Sequence, residues 1–156
     1  MTIEFESLIS KNSKTIRNIA RSYTNMYDYE DLMQEILVQL WRSFGNFRGD
    51  SKFETWLYRI AINTAVSFQR SEIKERKGKE KNTLLQSNNA SSGGLSHDEI
   101  LHAFIKELNN IDRAVLMMYI DGLTAIEMES VLGIKSNAIK VRVSRLKAKF
   151  SEQFVD

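Results

Sequence analysis

The segment from Lys135 to Lys149 carries side chains suited to binding a polyanion. Its fifteen residues include six basic side chains and no acidic one, the basic ones being Lys135, Lys140, Arg142, Arg145, Lys147 and Lys149. In the rest of residues 97–156, two basic residues stand against nine acidic ones. Lysine and arginine neutralise phosphates, and an amide such as Asn137 can bond a base edge. The polarised charge predicts contact with a nucleic acid, although a basic run alone fits a solvated helix equally well.

The residues around this segment predict the helices that would present it. A short helix is expected over 124–132, with Gly133 as its left-handed cap and Ser136 as the cap of a second, basic helix. Together these elements form a helix-turn-helix, whose second helix enters the major groove. The side chains expected to pack inward are Ile134, Ile139, Val143, Leu146 and Phe150. Those left for DNA are Lys135, Asn137, Lys140, Arg142, Ser144 and Arg145.

The chain as a whole is expected to be all-α. It has no proline and only seven glycines, so the commonest helix breakers are scarce. Apolar residues recur at three- and four-residue steps, which gather on one helix face, as in Leu32, Met33, Ile36, Leu37, Leu40, Trp41 and Phe44. Helix starts are predicted from capping boxes, which pair a serine or threonine with a glutamate three residues later. The candidates are Ser51 with Glu54, Ser96 with Glu99, and Thr124 with Glu127.

A polar segment divides the chain into two parts. The run KGKEKNTLLQSNNASSGG is rich in serine, asparagine and glycine and nearly free of core-forming residues. Residues 77–96 are therefore expected to form a flexible linker. The sequence predicts two small helical domains, over 1–76 and 97–156, on either side of it.

Other kinds of chemistry find little support. The chain has no cysteine, and His97 and His102 are too few for a zinc centre, so both are expected on helix surfaces. No phosphate-binding loop or dinucleotide fingerprint is present. We therefore expect no catalysis, no metal and no cofactor. The absence of a long apolar run or a leader predicts a soluble, cytoplasmic protein without membrane insertion.

Two long segments resemble one protein family. LNNIDRAVLMMYIDGLTAIEMESVLGIKSNAIKVRVSRLKAKF is similar to region 4 of bacterial sigma factors of the extracytoplasmic-function group. YEDLMQEILVQLWRSFGNFRGDSKFETWLYRIAINTAVSFQR resembles region 2 of the same group even more closely. With the linker, the resemblance covers nearly the whole chain in the right order and spacing. A lone helix-turn-helix occurs in many regulators, but this pair is specific.

The resemblance implies binding to core RNA polymerase. In the family, the helix carrying DLMQE docks on the coiled coil of the largest catalytic subunit, which corresponds here to Asp31, Gln34 and Glu35. Asp31 and Glu35 are four residues apart and can pair with basic residues of a partner. The alternative is that these residues form an ordinary solvent-exposed acidic face without a partner. The resemblance further implies contact with the flap region of the second subunit and allows for an anti-sigma partner.

The resemblance also assigns DNA contacts. The loop FRGDSKF takes an unstacked base of the minus-10 element into a pocket in the family, and Asn63 matches a residue that contacts promoter bases. The implied minus-10 set is Phe47, Arg48, Gly49, Asp50, Ser51, Arg59, Asn63 and Arg70. Arg59 and Arg70 are expected to contact phosphate, with simple solubilising charge as the alternative for both. Trp56 and Phe68 are expected to lie in the core. The implied minus-35 set is Lys135, Ser136, Asn137, Lys140, Arg142, Ser144, Arg145 and Lys147.

Two departures from the family pattern affect the C-terminal part. The family often has a proline where this chain has Asn109 and Asn110. Glu129 stands where the family generally has a small apolar residue packed against the second helix, and a buried carboxylate there is costly unless it is paired or tilted outward.

Three hypotheses follow from these observations. The first is a sigma factor that binds core polymerase, recognises minus-10 and minus-35 elements and assists melting, without catalysing a reaction itself. The second is a stand-alone helix-turn-helix regulator, which leaves the DLMQE and FRGDS segments without a role. The third is a sigma-like adaptor whose C-terminal domain docks on another protein, with Glu129 as its support in the sequence.

Overall fold

The computed structural model describes residues 2–25, 27–78 and 96–154, and all regular structure in these ranges is helical. The all-α prediction is confirmed. A short 3₁₀ turn, Phe44–Asn46, follows the third helix. The helices are α1 Thr2–Lys11, α2 Ser13–Tyr23, α3 Tyr29–Ser43, α4 Phe53–Gly78, α5 His97–Lys106, α6 Asn110–Ile120, α7 Ala125–Leu132 and α8 Ser136–Phe154.

Helices α1 to α4 pack around the apolar stripe predicted from spacing. Leu32, Ile36 and Leu40 of α3 are completely buried, because the three-residue and four-residue steps bring them to one face. Phe44 is also buried, and Met33 and Leu37 are partly buried against this core. Trp41 lies at the edge, 48% exposed, with its ring edge-on to Phe5 at 5.1 Å.

Helix α4 contributes the opposite wall of this core. Its buried members include Phe53, Trp56, Leu57 and Ala61, as its apolar spacing predicts. Phe68 is partly buried against the cluster, which agrees with a core rather than a base-stacking position.

Helices α5, α7 and α8 pack around α6, which is apolar around most of its circumference. Val115 and Met118 of α6 are completely buried, and Met128 of α7 reaches the same core. Helix α8 contributes Ile139 and Leu146 as buried residues, and the other members of its predicted inward stripe pack against them. The remaining faces of α8 are therefore available for other contacts.

Two of the three predicted capping boxes are present. The backbone N–H of Glu99 donates to Ser96 Oγ and that of Glu127 to Thr124 Oγ1, each at 3.1 Å, and both glutamates bond back. The capping box at Ser51 was a wrong prediction, since α4 begins at Phe53 and the Ser51 hydroxyl donates to the Lys52 carbonyl at 3.3 Å.

The turn between α7 and α8 has the predicted geometry. Gly133 has φ 75°, a left-handed conformation that glycine adopts without steric cost, and it ends α7. Helix α8 then begins at Ser136, so Ser136 is its first helical residue and not its cap.

Most of the predicted linker, residues 79–95, lies outside the described residues. Helix α4 continues to Gly78, two residues past the predicted end of the first domain. The helices on either side of this segment contact one another: α4 packs against α6 and α7, and α2 packs against α5. Their buried side chains form one continuous hydrophobic cluster.

Candidate functional site

Helix α3 presents an exposed face next to its buried stripe. The predicted polymerase-binding residues Asp31, Gln34 and Glu35 are all exposed. Glu35 accepts a hydrogen bond from Gln39 Nε2 at 3.0 Å, one turn later. The same face continues into Val38 and Trp41, which are 40% and 48% exposed. The face thus combines carboxylates with apolar surface, a composition typical of protein interfaces.

An open polar groove lies between α3 and α4. Its lining consists of Glu35, Gln39, Asn63, Thr64, Ser67, Phe68 and Ser71. Glu35 was predicted to contact polymerase and Asn63 to contact promoter bases, so residues predicted for different partners line one groove. The two predicted surfaces of the N-terminal part are therefore continuous.

The loop before α4 is held by aromatic rings. Phe47 is half-buried, with its ring centroid 5.7 Å from that of Phe53 and 5.2 Å from that of Trp56. The next three residues, Arg48, Gly49 and Asp50, are exposed, and Gly49 has φ 81°. Phe47 therefore anchors the loop, and the predicted DNA-contacting residues after it face outward.

The outward face of α8 carries most of the predicted minus-35 residues. Asn137, Lys140, Ser144 and Arg145 are exposed on the side of the helix away from buried Ile139 and Leu146, and Lys135 is exposed just before the helix. This arrangement places cations and hydrogen-bonding groups together on a protruding helix, as groove binding requires.

Two predicted minus-35 residues are turned toward α6 instead. Arg142 Nη1 lies 2.6 Å from Asp112 Oδ1, and both side chains are largely covered. Lys147 Nζ lies 3.1 Å from the Tyr119 hydroxyl and 5.2 Å from the centre of its ring. These two cations hold α8 against α6, a role that charge counting along the sequence cannot distinguish from DNA binding.

Glu129 does not occupy a buried position. It is exposed, and its Oε1 accepts a hydrogen bond from the backbone N–H of Ser136 at 3.1 Å. The carboxylate thus satisfies one of the free amides at the start of α8, where a negative charge is also favoured by the helix dipole. The carboxylate is thus both tilted outward and paired, so the cost of burial does not arise, and the sequence support for an adaptor that has lost DNA recognition is weakened.

Both halves of the chain match known protein families. Residues 8–74 match the model for sigma-70 region 2, and residues 98–150 match a model for sigma-70 region 4. The ECF RNA polymerase sigma-E factor of Escherichia coli K12 is 23% identical over 155 residues, covering 90% of this chain and 81% of the relative. The chain belongs to the extracytoplasmic-function sigma factors. The corresponding factor of Haemophilus influenzae is 39% identical over 64 residues, which cover 41% of this chain and 34% of that factor.

Solved structures confirm the fold of this sigma factor. The sigma factor RpoE in complex with the anti-sigma factor NepR, from Bartonella quintana, has a TM-score of 0.75 at 22% identity, covering 96% of this chain and 95% of that one. CnrH in complex with the cytosolic domain of CnrY has a TM-score of 0.68 at 21% identity, covering 98% and 88%. Membership in the family confirms the first hypothesis: the protein binds core RNA polymerase and promoter DNA and directs promoter-specific initiation.

The two halves of the sigma factor are joined by hydrogen bonds that the sequence did not predict. The buried Tyr58 hydroxyl of α4 donates to Asp121 Oδ2, just after α6, and lies 3.4 Å from the Met117 carbonyl oxygen. Thr15 Oγ1 donates to the same carboxylate oxygen at 3.2 Å, and the Tyr23 hydroxyl donates to the Asn110 carbonyl at 3.0 Å. Burial, and secondly the neighbouring charge of Asp121, raises the pKa of Tyr58.

Helices α4 and α7 are also linked directly. Arg59 Nη2 donates to the Ser130 carbonyl at 3.2 Å and to Ser130 Oγ at 2.6 Å. Lys52 Nζ lies 3.2 Å from Glu127 Oε2. Arg59 was predicted to contact promoter phosphate, yet here it holds the first helix of the helix-turn-helix. Its Nη2 is thus occupied by Ser130 in this arrangement.

Arg113 organises the start of α6 from a buried position. Its guanidinium donates to the carbonyl oxygens of Lys106 and Leu108 at 2.9 and 2.8 Å and lies over the Tyr23 ring, 4.8 Å from its centre. Asn109 caps the helix by accepting from the Asp112 N–H at 2.8 Å. An asparagine cap therefore starts α6 where the family often has a proline.

The two histidines differ in their surroundings. His97 is exposed as predicted, whereas His102 is half-buried beside α2. Burial, followed by the charges of Arg21 and Lys106, lowers the pKa of His102. Among the described residues there is no group of three or more histidine, cysteine, aspartate or glutamate side chains that could hold a metal, and none of the described helices is long and apolar enough to cross a membrane.

Proposed function

We propose that this sigma factor docks on polymerase through the exposed face of α3 and holds promoter DNA at two separate points. The observation that carries this assignment is the division of exposed chemistry: carboxylates with apolar surface on α3, and cations with amide and hydroxyl groups on α8. Each face suits a different partner.

Asp31, Gln34 and Glu35 contact the coiled coil of the largest polymerase subunit in this proposal. Val38 and Trp41 extend the contact, because they are exposed on the same side of α3. Carboxylates at the rim would set the orientation of docking, and the apolar side chains would supply desolvated contact area.

The minus-10 element is bound by the loop before α4 and by the groove beside it. Arg48, Gly49, Asp50 and Ser51 surround the unstacked base, and Phe47 fixes the loop from within the aromatic cluster. Capturing that base costs a few kcal/mol of stacking, which contacts with the loop must offset. Asn63 contacts a further base, and Arg70 a phosphate.

Arg59 joins the minus-10 contacts only after it leaves Ser130. Its release removes the bonds between α4 and Ser130 of α7 and so favours separation of the two halves. The exposed face of α8 needs no such change.

The minus-35 bases are contacted by Asn137, Lys140, Ser144 and Arg145. Lys135 and Ser136, at the start of α8, lie near the phosphate backbone of the DNA. Arg142 and Lys147 serve the packing of α8 on α6 and reach phosphate at most secondarily. The C-terminal half also contacts the flap region of the second polymerase subunit, and an anti-sigma protein is a further partner, as in the similar complex of RpoE with the anti-sigma factor NepR. The protein acts in the cytoplasm, and polymerase supplies the catalysis.

Run-off transcription with purified core polymerase tests this proposal. The double variant Asp31→Lys with Glu35→Lys reverses two charges and is expected to weaken core binding by about tenfold or more. A matched control places the same two changes at Glu4 and Glu6, exposed residues of α1. Unaltered core binding by the α3 variant, or equal loss with the α1 control, would remove the docking assignment.

A further inference from the structure

One large apolar side chain lies on the outward face of α8, among polar residues and two exposed alanines. Val141 is 48% exposed. It follows Asn137 by four residues and precedes Ser144 by three, so the three share one stripe of the helix. Lys140 and Arg145 are exposed on the two sides of this stripe. Val141 therefore occupies the centre of the face that we assign to the minus-35 element.

The fold gives no reason for a valine at this position. Helix α8 packs on the protein core through its opposite side, where Ile139 and Leu146 are buried. A β-branched residue on an exposed helix surface has lower helix propensity than alanine, lysine or glutamine. Apart from Phe154 near its end, α8 exposes no other large hydrophobic side chain to this extent. The exposed methyl groups are therefore available for an apolar contact outside the chain.

The major groove offers one apolar group at base-pair level, the 5-methyl of thymine. The polar neighbours of Val141 are suited to base edges and phosphates, so a helix seated on them brings the valine methyls to the floor of the groove. We propose that Val141 contacts a thymine methyl in the minus-35 element and selects thymine over cytosine at that position. The inference rests on the proposed seating of α8 in the major groove.

Single-atom changes in the DNA test this contact. Run-off transcription by the complete holoenzyme is measured on a promoter identified with the wild-type protein, replacing each minus-35 thymine in turn by deoxyuridine, which lacks only the methyl. Wild-type initiation should fall by about fourfold at one position, the effect expected from losing about one buried methyl group. Val141→Ala should initiate about fourfold less well on the thymine promoter and equally on thymine and uracil.

Ile126→Ala is the matched control. Ile126 is 73% exposed on α7, the first helix of the motif, and its removal should leave the deoxyuridine effect unchanged. If Val141→Ala keeps the wild-type deoxyuridine effect, or if wild-type initiation shows no such effect at any thymine, the inference is wrong. Failure of the broader proposal looks different, because initiation would then be insensitive to replacing the entire minus-35 element.

Discussion

Replacing Tyr58 with phenylalanine should loosen the contact between the two halves of the protein. The change removes only the hydroxyl that donates to Asp121. A hydrogen bond to a charged group contributes about 1.5–3 kcal/mol, and the lower end applies because Asp121 is exposed and water can replace the hydroxyl. A loss of about 1.5 kcal/mol shifts the equilibrium toward the separated form by about tenfold.

Fluorescence energy transfer measures that shift directly. The chain has no cysteine, so labels can be placed at two introduced ones, for example Asn46→Cys and Ser151→Cys, both at exposed positions. The separated population should rise in Tyr58→Phe. Binding of minus-10 DNA, for which our proposal requires Arg59 to leave Ser130, should become tighter by up to about tenfold, since less of the protein is closed.

Two further variants make this reasoning refutable. Tyr27→Phe makes the same chemical change at a side chain that is 92% exposed and should alter neither measurement. Thr55→Val should act in the opposite direction, because it removes a buried hydroxyl that has no hydrogen-bond partner among the described residues. If Tyr58→Phe leaves the separated population unchanged, the hydroxyl does not hold the two halves together.

Three other predictions concern the fold and the helix-turn-helix. Burial raises the pKa of Tyr23 and of Tyr58. Their contribution to the free energy of unfolding is therefore complete below the unfolded pKa of about 10 and is lost as the pH rises through the folded pKa values. The urea concentration at the unfolding midpoint should fall as the pH is raised above about 10, and it should fall less steeply in Tyr23→Phe. Glu129→Gln should keep the hydrogen bond to Ser136 and bind minus-35 DNA a few-fold more tightly in a filter-binding assay, because a negative charge near phosphate is removed. Unchanged affinity would show that this charge lies away from the DNA. Arg113→Met should lower the free energy of unfolding by about 3–5 kcal/mol, since buried carbonyls lose their donor, and urea denaturation checks this.

The elements of this protein could be predicted from local sequence, because local physics determines them. The apolar steps of α3 define a buried face, and Thr124 with Glu127 satisfies the free amides at the start of α7. Gly133 permits the left-handed turn that follows. Each signal lies within a few residues of its effect.

The contacts between the halves could not be predicted in this way. Arg59 and Ser130 are 71 positions apart, and nothing near Arg59 distinguishes a partner within the chain from a phosphate. Glu129 shows a related limit: the family pattern left burial and an outward tilt both open, and only the structure shows that the side chain tilts toward Ser136. The exposed position of Val141 could be predicted from helical spacing, but its role could not, because DNA contacts are predicted from polar and basic side chains.

The contact between the halves includes polar groups that can exchange partners, as our proposal that Arg59 moves from Ser130 to DNA requires. Thr55 precedes Tyr58 and Arg59 by three and four residues, so it shares the face of α4 that meets α6 and α7. Its unpaired hydroxyl costs about 1–3 kcal/mol in the closed arrangement. The bonds that hold the halves together run largely between polar groups, including Arg59 with Ser130 and Lys52 with Glu127. Water, phosphate or a protein partner can replace such bonds at little net cost, whereas the buried apolar side chains that the two halves share become exposed to water when the halves separate. If Arg59 contacts promoter phosphate as we propose, that phosphate competes directly with Ser130, and DNA binding by α4 then favours release of the helix-turn-helix.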